Sequence, residues 1–103
     1  LFRSNAIPQK VLGSGVAPSQ NTDMLSILDG VAPKDSKALR VEGEGQAWSL
    51  NGNIVYRTRS PLLSPAWLNK VQSSDGTFVY EIPYVPVLLI SAGGVTKEVR
   101  VSQ

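Results

Sequence analysis

Asn51-Gly52 lies between two runs that alternate in the manner of β-strands, Gln46–Leu50 and Asn53–Arg59. A two-residue hairpin loop needs positive φ at both central positions, which Gly adopts freely and Asn tolerates, so this pair is a strong hairpin signal. The short loop also dictates the pairing. Leu50 must face Asn53, Trp48 must face Val55, Gln46 must face Arg57 and, further out, Glu44 must face Arg59. One face of the hairpin then carries Trp48, Leu50 and Val55, and the other carries Ile54 and Tyr56. Both faces hold apolar residues, so both are expected to be covered.

A second hairpin is written into the end of the chain. Val87–Ser91 and Val95–Val101 are joined through Ala92-Gly93-Gly94. With Gly93-Gly94 as the loop, Leu88 opposes Val99 and Ile90 opposes Lys97. Val95, Val99 and Val101 are then expected on a core face with Leu88, Ile90 and Ala92, and Thr96, Glu98 and Arg100 on the other side. Leu39 and Val41 alternate with Arg40 and Glu42, a further strand. After the turn Ser73-Ser74-Asp75-Gly76, Thr77–Ile82 places Phe78, Tyr80 and Ile82 on one face. Pro83 and Pro86 bracket a kink.

Helical signals are few. Asn21 or Thr22 can cap a short helix, Asp23 suits its positive end and Gly30 can stop it. Met24, Leu25, Ile27 and Leu28 would form its apolar face, and Pro33 blocks continuation. Ser64-Pro65 can open a second helical turn that buries Trp67, Leu68 and Val71. About six strands separated by turn signals, with no βαβ spacing, predict an all-β fold. The expected architecture is an antiparallel β-sandwich or small barrel with one or two short helical turns.

Residues 1–21 mix Pro, Gly, Ser and single apolar residues without period, and read as an extended arm. Residues 22–103 read as a single β domain. Phe2, Ile7, Val11, Leu12 and Val16 of the arm cannot bury their side chains alone. They are expected to seat on a neighbouring subunit, by adding a strand to a sheet edge, or on the chain's own domain. The chain begins at Leu1, which suggests a processed product, a fragment or part of something longer.

Composition removes several chemistries. The 103 residues contain no Cys and no His, which excludes a disulfide scaffold, a Cys/His zinc site and a Ser-His triad. Charged residues are 17% of the chain and the net charge is +2. The Lys and Arg residues are scattered, so the electrostatic footprint of a nucleic-acid binder is thin. No apolar run approaches the ~20 residues a membrane-spanning helix needs. No cofactor is expected.

The segment 73–101, SSDGTFVYEIPYVPVLLISAGGVTKEVRV, resembles the C-terminal half of immunoglobulin-like and carboxypeptidase-regulatory-like β-sandwich domains through Asp75, Gly76, Phe78 and Pro83. That resemblance implies a non-catalytic surface or structural module of an exported protein and supplies no functional residues. The N-terminal half departs from it by adding the arm and the Pro-rich insertion.

Three groups of residues are candidates for chemistry. Glu42 and Glu44 flank Gly43 and are close enough in sequence for acid–base work or calcium, but the segment lacks the dense ligand run of a calcium loop. A solvated loop with Glu44 paired to Arg59 is the plainer reading. Ser14 lies in a Gly-Ser-Gly too short to be a phosphate loop. Trp67 and Tyr84, beside prolines, are expected to be exposed and to form a candidate ligand platform for sugar rings. Arg57 and Arg59 can grip an anion or pair across the hairpin with Gln46 and Glu44.

The leading expectation is therefore a non-catalytic assembly module of a repeating exterior structure such as a virion, tail or cell-surface filament. Its partners would be copies of itself or neighbouring structural proteins, contacted through the arm, and it would be extracellular or virion-associated. A carbohydrate-binding β-sandwich module, with glycan as partner, is the first alternative. A small domain of a larger exported or secretion protein is the second.

Overall fold

The computed structural model describes residues 23–63 and 67–103. The arm positions Phe2, Ile7, Val11, Leu12 and Val16, and the Ser64-Pro65 cap, lie outside the described residues.

The Asn51-Gly52 loop forms as its residue types require, with φ of 53° and 84°. It joins β2 (Gln46–Leu50) to β3 (Asn53–Thr58) in the expected register, Leu50 to Asn53, Trp48 to Val55 and Gln46 to Arg57. Gly93 and Gly94, with φ of 61° and 80°, close the second hairpin between β6 (Val87–Ala92) and β7 (Val95–Ser102). Leu88 faces Val99 and Ile90 faces Lys97, again as the loop length dictates. The remaining strands are β1 (Lys37–Glu42), β4 (Asn69–Gln72) and β5 (Phe78–Pro83). All pairings are antiparallel, and the seven strands form one sheet in the order β4-β5-β3-β2-β1-β7-β6, curled into a half-barrel. The fold is all-β.

The sheet has two apolar faces because the central strands alternate apolar with apolar. The inner face gathers Leu39, Ile54, Tyr56, Leu62, Phe78, Tyr80, Ile82, Leu88, Ile90, Val99 and Val101. The outer face of β2, β3, β4 and β5 carries Trp48, Leu50, Val55, Val71 and Val79 and is covered by the helix α1 (Met24–Leu28) through Met24 and Ile27. Five residues cannot hold a helix alone. Burying Met24 and Ile27 contributes roughly 1.5–3 kcal/mol each. The Asp23 cap, which accepts from the Leu25 and Ser26 amides, contributes about 1 kcal/mol more.

Several expectations are corrected. The helix cap is Asp23, not Asn21 or Thr22, and Leu25 is 63% exposed because it lies about 100° around the helix from Met24, off the face that Met24 and Ile27 press onto the sheet. Residues 67–71 do not form a helical turn. Asn69–Gln72 is the strand β4, missed because a four-residue strand after two prolines shows no clear alternation. Val71, on β4, joins the outer cluster, whereas Trp67 lies ahead of the strand and packs against the inner one. Val95 is 57% exposed, since the β6–β7 hairpin runs past the end of the core.

The half-barrel is partly closed by the segment after β3. Leu62 bridges to Ile90. The Leu63 amide donates to the Leu89 carbonyl and the Ser91 amide to the Pro61 carbonyl, both at 2.8 Å. The Tyr80 hydroxyl accepts from the Leu62 amide at 3.0 Å, so an inner aromatic pins this strap from below.

Candidate functional site

The best-organised polar constellation grows from the loop Gly43-Glu44-Gly45 between β1 and β2. The Glu44 carboxylate accepts the Thr58 hydroxyl at 2.9 Å, the Ser60 hydroxyl at 2.8 Å and the Arg59 backbone N–H at 3.0 Å. Burial opposes its charge, but the Ser60 and Thr58 hydroxyls and the Arg59 amide outweigh that and hold the carboxyl below its ordinary value. Below it, the Tyr56 hydroxyl donates to the Glu44 carbonyl. Desolvation pushes the Tyr56 phenol up to about 12. A cleft of about 280 Å³ runs past Glu44, Gly45, Arg57, Thr58, Arg59 and Thr77.

The expected Glu44–Arg59 ion pair does not form. The Arg59 guanidinium donates to the Asp75 carbonyl at 3.2 Å, and only its backbone meets Glu44. The strand ends at Thr58, so the ladder that would have set the two side chains opposite each other has already stopped. The Arg57–Gln46 pairing does form, at 3.0 Å, and Arg57 Nε also donates to the Leu28 carbonyl at the end of α1 at 3.0 Å. Both arginines of this cleft are thus anchored to the fold by at least one guanidinium hydrogen bond. Asp75 is held down to about 2 by the Ser73 hydroxyl and the Thr77 amide, which makes it a turn-former.

Trp67 and Tyr84 do not share a surface. Trp67 is half-buried, its ring centroid 5.8 Å from that of Tyr80, and Lys70 Nζ lies 5.6 Å from the Trp67 ring. The same ammonium lies 5.4 Å from Phe78 and 5.8 Å from Tyr80, so one lysine occupies the open side of an aromatic cluster. Tyr84, 41% exposed, sits past β5 beside the Gly52 turn, to whose carbonyl its amide donates. That is about 13 Å along the strand direction from Tyr80. Trp67 is corrected from exposed to packed because the chain enters β4 over the inner aromatics.

One buried group has no counterpart in the sequence reading. Glu81 is fully buried, with Oε2 accepting from Asn53 Nδ2 at 3.2 Å and Oε1 without a partner. It faces Val55 and Asn69 across the neighbouring strands. The signal available was its parity with Val79 on a strand apolar on both faces.

Among the described residues, no group of three or more His, Cys, Asp or Glu is placed to hold a metal ion, and no helix is long and apolar enough to cross a membrane. Exposed apolar side chains occur at Leu63, Leu89, Tyr84, Val85 and Val95.

These features define a small curled antiparallel domain in which Glu44, Arg57, Arg59 and Asp75 are hydrogen-bonded within the fold and several apolar side chains are exposed. The chain belongs to the DotH/IcmK family, described as "Putative outer membrane core complex of type IVb secretion", which matches residues 5–99. No curated protein matches it.

Proposed function

We propose that this chain is a non-catalytic structural domain of an outer-membrane core complex of type IVb secretion, located in the cell envelope and held there by contacts with other subunits. The family match over residues 5–99 carries the reading. It favours the secretion alternative over a virion or extracellular filament and gives no support to a glycan partner.

The side chains agree with a non-catalytic role. There is no His or Cys. The most organised carboxylate, Glu44, already accepts three hydrogen bonds from the fold. Arg57 and Arg59 donate to backbone carbonyls and to Gln46. Hydrogen bonds within the fold hold these side chains in place, so each does structural work where it stands. The five apolar arm positions remain the proposed assembly contacts.

The test is chemical crosslinking in intact envelopes. The reading predicts adducts between this chain and other subunits of the outer-membrane complex. Recovery of the chain only as an uncrosslinked soluble species would overturn it.

A further inference from the structure

β7 is paired with β6 from Val95 to Arg100, but with β1 only from Arg100 to Ser102. β1 stops at Glu42, and Gly43 turns the chain away, so close to β7 that a Cβ there would meet Val99 Cγ2 at 3.1 Å. The other sheet edges are better closed. β6 is covered by Pro61–Leu63, and β4 is four residues long with Lys70 folded over its own aromatic rings. Val95, Thr96, Lys97 and Glu98 are all exposed.

The hydrogen-bonding direction of this open stretch follows from the loop. In a two-residue hairpin the residues flanking the turn, Ala92 and Val95, exchange hydrogen bonds, and the pattern alternates from there. Val95, Lys97 and Val99 therefore bond towards β6. Thr96 and Glu98 direct their N–H and C=O groups away from it, and among the described residues nothing receives them. These groups form a short template for an added strand.

Charge restricts what can be added. Glu98 is compensated by Arg100, 3.9 Å away. Lys97 has no carboxylate partner among the described residues. A second copy pairing Thr96 with Glu98 sets the two copies' Lys97 side chains directly opposite each other. A register centred on Glu98 opposes two carboxylates, and one centred on Thr96 runs Glu98 into the Gly94 turn.

We propose that the free edge of β7 at Thr96 and Glu98 receives an extended strand from another subunit of the assembly, with a carboxylate of that strand opposite Lys97. This rests on the secretion-core reading above. The added strand completes the hydrogen bonding of the β6–β7 hairpin and covers Val95.

The test compares the full chain with its Thr96→Pro, Lys97→Glu and Lys97→Arg variants, reading incorporation into the detergent-extracted complex and the melting temperature of each isolated chain. Thr96→Pro removes an outward N–H without touching the β6 ladder. The expected result is unchanged melting for all, loss of incorporation for Thr96→Pro and Lys97→Glu, and normal incorporation for Lys97→Arg. Hydrogen exchange supplies a readout that needs no variant: the Thr96 and Glu98 amides should exchange freely in the isolated chain and slowly in the complex. Equal exchange in both states, or a Thr96→Pro chain that incorporates as well as wild type, overturns the edge and leaves the secretion-core reading standing. A wild-type chain absent from the extracted complex overturns both. An isolated-chain dimer abolished by Thr96→Pro would make the occupant a second copy and overturn the proposed one.

Discussion

The hydroxyl of Tyr56, an inner side chain of β3, donates to the backbone carbonyl of Glu44 in the loop that carries the chain from β1 to β2. Gly45 has to pass directly over the same ring. A Cβ at Gly45 would lie 2.7 Å from Tyr56 Cε1 and 2.6 Å from the Arg57 carbonyl, and its φ is +99°. Gly45→Ala is therefore expected to cost about 3 kcal/mol or more through combined clash and backbone strain. Tyr56→Phe, which only removes the donor, is expected to cost about 1–2 kcal/mol. Denaturant unfolding of the two variants checks the order; a Gly45→Ala loss smaller than that of Tyr56→Phe would contradict the close approach.

Gly52 offers the opposite case. Its φ is +84°, yet nothing lies within 4 Å of where a Cβ would stand. Strain alone then sets the cost, about 1–3 kcal/mol for the β-branched Gly52→Val and much less for Gly52→Asn. Thermal melts of both should separate them. Equal melting temperatures would mean that the turn does not hold this conformation.

Acid should destabilise the domain through Glu44. Its folded value lies below the ordinary 4.5, so its contribution is fully present above that value and is lost as pH falls through the lower folded value. The carboxylate is exposed on one side, and solvent screening keeps the contribution to about 1 kcal/mol. Glu44→Gln should lower stability at pH 7 and flatten the acid limb below about pH 4.5. An acid limb unchanged in slope would assign the effect to other carboxylates, Asp75 first among them.

Glu81 is buried with one carboxyl oxygen unpartnered. Leaving a buried polar atom unpaired costs about 1–3 kcal/mol. Glu81→Met keeps the length and removes that cost, while Asn53, its half-buried partner, can turn to water. The melting temperature should hold or rise. A marked fall would show that Glu81 supports the fold rather than burdening it.

Both hairpins could be read from the chain because their information is local. Asn51-Gly52 and Gly93-Gly94 fix loop length, loop length fixes register, and register fixes which side chains share a face. Tyr56 and Val99 followed directly, and Tyr80 followed from its alternation with Phe78 and Ile82 on β5. The parts that were not legible depend on contacts distant in sequence. β4 is a strand because β5 pairs with it, not because Asn69–Gln72 alternates. Arg57 reaches the Leu28 carbonyl only because α1 lies on the outer face of the sheet. The Glu44 carboxylate exchanged its expected arginine for two hydroxyls because β3 ends one residue before Arg59. Glu81 was overlooked because a carboxylate within an apolar run gives no sign of being fully buried.

The most direct test of the structural role is light scattering behind size exclusion on detergent-extracted envelopes, for the full chain and for residues 22–103. The account predicts that the full chain elutes within a particle far larger than itself, and that the shortened chain keeps its melting temperature but elutes free of that particle. A full chain that elutes as a free monomer would contradict it.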